Sequence, residues 1–296
     1  MSGRFVAIVN PLSGRRNMAP LVRQIGRLLK RQGARLDVFE TTGSGHATEL
    51  AARVEHDVDA VLVAGGDGTL WEVINGLVGK DVPIVVLAGG TENLLARELK
   101  MPDSPEGVAR TLLQGKWFSY DVGVVNGRRF LVVVGVGFDA ECVVRMNRVR
   151  RGHITYLDYF WPIWRVFWSY RFPVLHVEAD GACVFDGRGV LLVSMIPRYS
   201  IGLRLFDKAR YDDGLLDLCV FPCTSRTRLA AHAFRAFCRR HIGRGGVIYR
   251  QSHSIRVSSP DRVPIEVDGE LGGHLPAELS LLPGAGKFLR LGPGCG

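Results

Sequence analysis

Short apolar runs alternate with helix-period segments from residue 4 to about 116. Phe5 to Val9 reads as a buried strand, and Leu21, Ile25, Leu28 and Leu29 recur at helical spacing before Gly33 stops the helix. A strand over Leu36 to Phe39, a helix over Ala47 to Val54, a strand over Ala60 to Ala64, a helix over Leu70 to Leu77 and a strand over Pro83 to Leu87 follow. This alternation predicts an α/β domain whose mainly parallel sheet is covered by helices on both faces. Ligands of such sheets bind beyond the carboxyl ends of the strands. The Gly, Asn, Thr and Asp residues of this half fall there, in the loops after strands one, three and four.

After about residue 118 the period changes. Val122 to Val125 and Phe130 to Val134 flank Asn126-Gly127, a strong hairpin signal. Further strands are expected at Val174 to Glu178, Cys183 to Phe185, Val190 to Met195, Leu215 to Phe221, Ser254 to Val257 and Val263 to Val267, with helical inserts near Ala140 to Arg148 and Arg226 to Arg240. The expected organisation is an α/β domain over 1–120 and a β-rich, sandwich-like domain over 121–296, the last strand being free to return to the first domain.

Composition narrows the function classes. A chain of 296 residues, 47% hydrophobic and 23% charged, has the make-up of a soluble globular protein rather than a disordered or collagenous one. Its six cysteines form neither a CxxC pair nor a Cys/His cluster, which points to reduced thiols and against a zinc knuckle or a disulfide framework. The only apolar run before Asn10 is five residues long, too short for a secretory leader. Ile154 to Phe172 carries Asp158, Pro162 and Arg165, which speaks against a transmembrane span. The expected location is cytoplasmic. A net charge of +9 favours anionic partners, either phosphates or an acidic membrane surface. Nucleic acid is disfavoured because the basic residues are dispersed without a recognised motif.

The sharpest chemical signal is Gly65-Gly66-Asp67-Gly68-Thr69, placed between a strand and a helix. Glycines there let backbone approach a ligand closely, while the helix N-terminus and the Thr69 hydroxyl offer donors to phosphate. Asp67 among such amides would repel phosphate unless it serves a metal ion, a ribose hydroxyl or an acceptor proton. The plainer alternative is a glycine-rich turn with a helix-capping acid. Asn10-Pro11-Leu12-Ser13-Gly14 and Gly89-Gly90-Thr91-Glu92-Asn93 leave neighbouring strands, and the three loops together describe a pocket for a triphosphate-sized anion.

These loops resemble those of the diacylglycerol kinase catalytic family, which includes bacterial lipid kinases and the related sphingosine kinases. The resemblance rests on NPLSG (10–14), GHATELA (45–51), GGDGTLWEVINGL (65–77), GTENLLAREL (90–99), DVG (121–123), GVGFDAE (135–141), YDDGLLDL (211–218) and VDGE (267–270), in family order. It implies an N-terminal domain like that of NAD kinases and phosphofructokinases, a C-terminal β-sandwich, and ATP- and Mg2+-dependent phosphorylation of a lipid hydroxyl. It further implies that Asn10, Thr41, the loop Gly65, Gly66, Asp67, Gly68, Thr69, Leu70 and Trp71, and Thr91 line the ATP site. By the same resemblance, Asp213 offers its side chain and Arg210 and Leu215 their carbonyls to magnesium, and Asp268 or Glu270 accepts the lipid hydroxyl's proton, with Asp67 a further catalytic carboxylate. Read without the family, Asp-Gly in the 211–218 segment is a tight turn and Asp-Gly-Glu an exposed hairpin turn.

The chain departs from the family at Leu94, where several relatives have an acid, and at Trp71, where Asn is frequent. Arg15 and Arg16 are candidate phosphate contacts beside a solvated-loop alternative. The aromatic stretch from Ile154 to Phe172, preceded by Arg145, Arg148, Arg150 and Arg151, resembles an interfacial element for an anionic membrane, with a core-packed helix as the alternative. The basic helix near Arg226 reads as a solvated face. An NAD kinase and a catalytically silent lipid-binding module stand as rival functions, and a homodimer is left open.

Overall fold

Both faces of a parallel sheet need cover, and that requirement shapes the first 120 residues. The protein is described by a computed structural model over residues 3–14, 17–149 and 156–292. It divides into two compact units, Met1–Tyr120 with Gly284–Gly296, and Asp121–Pro283.

In the first unit the elements run β1 (Arg4–Val9), α1 (Met18–Arg31), β2 (Arg35–Glu40), α2 (His46–Ala52), β3 (Ala60–Gly65), α3 (Asp67–Gly76), β4 (Ile84–Ala88), α4 (Leu94–Glu98), α5 (Pro105–Gln114) and the start of β5 (Lys116–Val125). The four strands β1 to β4 are parallel in the order β2-β1-β3-β4. Met18, Val22, Ile25 and Leu29 of α1 and Val108, Ala109 and Leu112 of α5 bury one core with Phe5, Ala7, Leu62 and Val85. The apolar side of α1 is thus displaced from the one expected, with Leu21 and Leu28 at its margin. β2 is the sheet edge, and its Val38 and Phe39 are about half exposed. α3 starts at Asp67 rather than Leu70, so Gly68 and Thr69 belong to its first turn.

The second unit holds the rest of β5, then β6 (Arg128–Phe130), β7 (Val133–Val136), α6 (Phe138–Val149), α7 (Tyr156–Ser169), β8 (Val174–Ala179), β9 (Ala182–Ser194), β10 (Arg198–Tyr199), β11 (Leu203–Arg204), β12 (Leu216–Pro222), α8 (Arg226–Phe237), β13 (Ile248–Ser252), β14 (Ile255–Ser258), β15 (Pro264–Val267), β16 (Glu270–His274) and most of β17 (Ala277–Arg290). The fold is an antiparallel sandwich. The two strands expected at 183–185 and 190–195 are one, β9: its first half pairs with β8, and its second lies between β7 and β12. One sheet runs β16-β15-β7-β9-β12-β13 and the other continues from β9 through β8 and β14 to β17. Asn126 (φ 48°) and Gly127 (φ 81°) form the expected hairpin turn between β5 and β6. Val190 and Leu192 of β9 share a core with Val166 of α7, Ala236 of α8 and Cys142 of α6. That core covers one face of the sheet with helices.

Candidate active site

The strand order makes β1 and β3 the place where the chain reverses its direction of travel across the sheet, which is where open α/β sheets bind ligands. Val9 stands in register with Glu40 and Ala64, and Gly65 with Ala88, so the four carboxyl ends are level. Asn10 and Thr41 cap β1 and β2, the Thr41 amide donating to the Val9 carbonyl at 2.8 Å. The Asn10 amide nitrogen Nδ2 donates to Thr69 Oγ1 at 3.1 Å, while its Oδ1 accepts from the Leu12 amide. Two loops are thereby tied across the crevice.

The third loop touches both. Gly14 has φ +69°, and a Cβ there would lie 1.5 Å from the Gly89 carbonyl oxygen. A Cβ on Gly90 would lie 2.7 Å from the Cα of Gly66. Bare backbone from three loops therefore meets at one point, beside the N-terminus of α3. Gly66, the N-cap residue of that helix, has no side chain with which to cap it, and the helix start carries amide donors and partial positive charge suited to an anion. Leu70 is buried, and its contribution here is limited to its backbone. Trp71 and Thr91 are half-buried.

Asp67 has a task the sequence did not reveal. Its Oδ2 accepts the Leu94 amide at 3.1 Å, and the amides of Leu95 and Asn93 also favour its charged form. Burial works against them and pushes the carboxyl above its ordinary range. Glu72 does the same for α2, accepting from the Gly45 and Ala47 amides at 2.8 and 3.0 Å. Both acids of α3 thus cap the N-termini of neighbouring helices. The capping alternative for Asp67 describes its geometry, except that the helix it caps is α4 and not its own. Leu94 is buried beside the Asp67 carboxylate, so an acid at that position would pay for leaving water.

In the second unit, Asp121 of the DVG motif holds the 211–218 loop. Its Oδ2 accepts the Gly214 amide at 2.7 Å and its own amide donates to the Tyr211 carbonyl. Asp213 Oδ1 accepts the Leu215 amide, Gly214 turns at φ +73°, and Arg210 pairs with Asp212. Burial, and then the charge of Asp121, raise the Asp213 carboxyl, while the Leu215 amide opposes them. Asp121 was visible as a motif residue, but its grip on this loop needs the fold.

VDGE is a hairpin turn, but its aspartate is not exposed. Asp268 (φ 49°) and Gly269 (φ 85°) link β15 to β16. The Asp268 carboxylate is buried and accepts from the amides of Leu131, Val132 and Val133 at 2.7, 2.8 and 2.8 Å. Both of its oxygens are thus tied to backbone amides, which fixes the carboxylate against the start of the 131–133 segment. Glu270 opens β16 and is half-buried. Beneath the turn, Glu266 Oε2 accepts the Gly269 amide at 2.9 Å, and its other oxygen lies beside Asp139, which receives the Tyr199 hydroxyl. Burial raises both carboxyls; Asp139 adds to the cost of ionising Glu266, while hydrogen bonds from Glu266 and Tyr199 favour the charged form of Asp139 and only partly offset its burial. Neither Glu266 nor Tyr199 stood out in the sequence; a charged residue on a strand whose neighbours are all apolar is the only trace. Arg15, Arg16, Arg150 and Arg151, and the side chain of Arg148, lie outside the described residues.

Residues 4–125 match the diacylglycerol kinase catalytic domain, and residues 132–290 match the YegS C-terminal NAD kinase beta sandwich-like domain. The chain is 30% identical over 305 residues to the diacylglycerol kinase of Mycobacterium tuberculosis strain H37Rv, covering 97% of this chain and 95% of that protein. It is 28% identical to the diacylglycerol kinase of Bacillus subtilis strain 168, covering 92% and 91%. The fold is similar to that of a diacylglycerol kinase of Bacillus anthracis str. Sterne, with a TM-score of 0.72 at 20% identity over 97% of both chains.

Proposed function

The chain belongs to the diacylglycerol kinase catalytic-domain family and is a lipid kinase, and from that premise we propose that it transfers the γ-phosphoryl group of ATP to the hydroxyl of diacylglycerol. The meeting of Gly14, Gly66 and Gly90 beside the N-terminus of α3, whose N-cap residue is a glycine, carries this reading. Phosphoryl transfer asks a protein mainly for positioning and charge stabilisation, and a phosphate chain needs such amide-lined backbone. Asn10, Thr41, Thr69, Trp71 and Thr91 border the same strand ends and are assigned to the nucleotide.

The 211–218 loop suits a hard cation. Among the described residues no group of three or more His, Cys, Asp and Glu gathers at one point, so carbonyl oxygens must complete any set of ligands. Asp213 with the Arg210 and Leu215 carbonyls offers the all-oxygen chemistry that Mg2+ takes with retained waters. Bound there, Mg2+ would neutralise charge on phosphate oxygens. Glu270 is assigned the proton of the attacking hydroxyl, because Asp268 is occupied by three amides. The hydroxyl oxygen bonds to the γ-phosphorus as the β–γ bridge breaks, giving ADP and a phospholipid.

The test is to supply the pure protein with γ-labelled ATP, Mg2+ and mixed micelles of diacylglycerol, monoacylglycerol or a sphingoid base. Label is expected in the lipid extract, greatest with diacylglycerol. Label in none of them, or conversion of NAD to NADP in its place, overturns the proposal.

A further inference from the structure

The GVGFDAE segment takes no part in the phosphate loops, yet it supplies half of the carboxyl pair that lies beneath the 268–270 turn. Gly135 of β7 stands in register with Glu266 of β15, and Asp139 follows one turn later at the start of α6. A Cβ on Gly135 would lie 2.4 Å from Asp139 Oδ2 and 2.8 Å from Glu266 Oε1, so the two carboxyls converge on space that only a glycine leaves open. Glu266 Oε1 is buried and has no donor to accept from. One proton on that oxygen, given to Asp139, removes the deficit. A chain of donors is then complete: the Tyr199 hydroxyl and Glu266 Oε1 both donate to Asp139, and Glu266 Oε2 accepts the Gly269 amide at 2.9 Å.

Apolar side chains of similar volume would serve stability at least as well as a buried carboxyl pair, and where the chain of donors ends says what this pair does. Of the three turn residues, Asp268 is fixed by the amides of Leu131, Val132 and Val133. Gly269, at φ 85°, is the joint with the widest conformational freedom. Its amide is the one that Glu266 takes, and Glu270 follows directly. We propose that Glu266 is a positioning residue for Glu270: braced by Asp139 and Tyr199, it clamps the Gly269 amide and so fixes the direction in which the next carboxylate meets the lipid hydroxyl. The supporting shell of a reacting group acts in this way when it removes the freedom of the backbone that carries the group. The proposal deepens the lipid-kinase reading and rests on it for the role of Glu270, whereas the clamp itself is measurable without turnover.

Two measurements test it on the full chain. Hydrogen exchange at the Gly269 amide, followed with glycine-selective isotope labelling, reads the clamp: the amide should be protected in the parent and in Glu266→Gln, and exchange about tenfold or more faster in Glu266→Leu. Turnover of diacylglycerol in mixed micelles reads the consequence. Glu266→Leu should lower kcat about tenfold and leave the KM for ATP at the parent value. Glu266→Gln should recover most of that loss, because its amide group offers an acceptor to Gly269 and a donor to Asp139. In a Glu270→Gln background, Glu266→Leu should lower kcat no further, since the clamp then has no carboxylate to direct. Where Glu266→Leu does not fold, Tyr199→Phe removes one hydroxyl from the brace and should lower kcat about threefold in the parent but not in Glu270→Gln. Equal fold-losses in both backgrounds, or a loss in Glu266→Gln as large as in Glu266→Leu, would assign Glu266 a structural role and overturn the proposal. An unprotected Gly269 amide in the parent overturns the clamp. A protected amide in a parent that labels no lipid would instead overturn the kinase reading, and with it the role of Glu270, and leave the clamp standing.

Discussion

Neighbouring carboxylates of one hairpin turn have different work because their partners differ. Asp268 accepts three buried amides, so Asp268→Ala would leave those donors unpaired and should cost about 3 kcal/mol or more of stability in denaturant unfolding. Glu270→Gln should leave the unfolding midpoint nearly unchanged and lower kcat at least tenfold, or about 1.4 kcal/mol of barrier. A folded Glu270→Gln protein with parent turnover would remove Glu270 from the site. Below the turn, Asp139 and Glu266 hold a proton that the unfolded chain releases, since burial has raised both carboxyls. Groups raised in this way stabilise fully below their unfolded values near pH 4 and lose that contribution as pH climbs through the folded ones. Tyr199 donates to the pair from β10, and the Asp268 charge and the Cys142 thiol are the other titratable groups near it. Stability should therefore fall as pH rises above about 4, by up to about 1.4 kcal/mol per unit and per proton. Glu266→Gln, which keeps an acceptor for the Gly269 amide, should flatten that slope in urea titrations across pH; an unchanged slope would show that the pair does not hold the proton.

Elements were legible where a local signal suffices. The β1 to β4 alternation and the Asn126-Gly127 turn follow from burial period and from the one conformation that a two-residue turn demands. The start of α3 at Asp67 was not legible, because Gly68 is a poor helix former and the first turn is held by its neighbours rather than by propensity. β2 was legible as a strand but its place at the sheet edge was not, because edge position depends on strand order and not on the strand's own residues. The candidate site divides in the same way: the three glycine loops could be read as loops, whereas the carboxylates of Asp67 and Glu72 cap helices that only the fold brings near. One element-scale test isolates the meeting of loops. Gly14→Ala would force a side chain into the Gly89 carbonyl at a positive φ, and it should raise the KM for ATP about tenfold or more. Gly127→Ala, at a positive φ with nothing near its Cβ, strains a turn to a similar degree away from the loops and should leave that KM unchanged. Equal KM values in the two variants would show that the loops need not meet to hold the nucleotide.

At the scale of the whole molecule, the first unit is not a continuous stretch of sequence. The chain leaves it within β5 and returns within β17, so that Gly284 onward belongs with residues up to Tyr120. Phe288 of the returning strand pairs with Ile84 of β4 and is completely buried. Its ring meets Tyr120 edge-on at 5.5 Å and lies 6.1 Å from that of Phe118. Lys287 and Arg290 sit over Trp117 and Phe118 at 4.6 and 4.5 Å, closing the same corner. Truncating Phe288 to alanine removes a large buried ring from a sheet position that local relaxation cannot refill, and such losses cost about 3 to 5 kcal/mol. A chain ending at residue 120 loses the whole strand, exposing the β4 side of the sheet as well as Tyr120. Residues 1–120 alone are therefore expected to show no cooperative thermal transition and to bind no ATP, whereas the same residues joined by a flexible linker to 284–292 should regain the transition. Cooperative unfolding of residues 1–120 without the returning strand would show that the first unit is complete by itself.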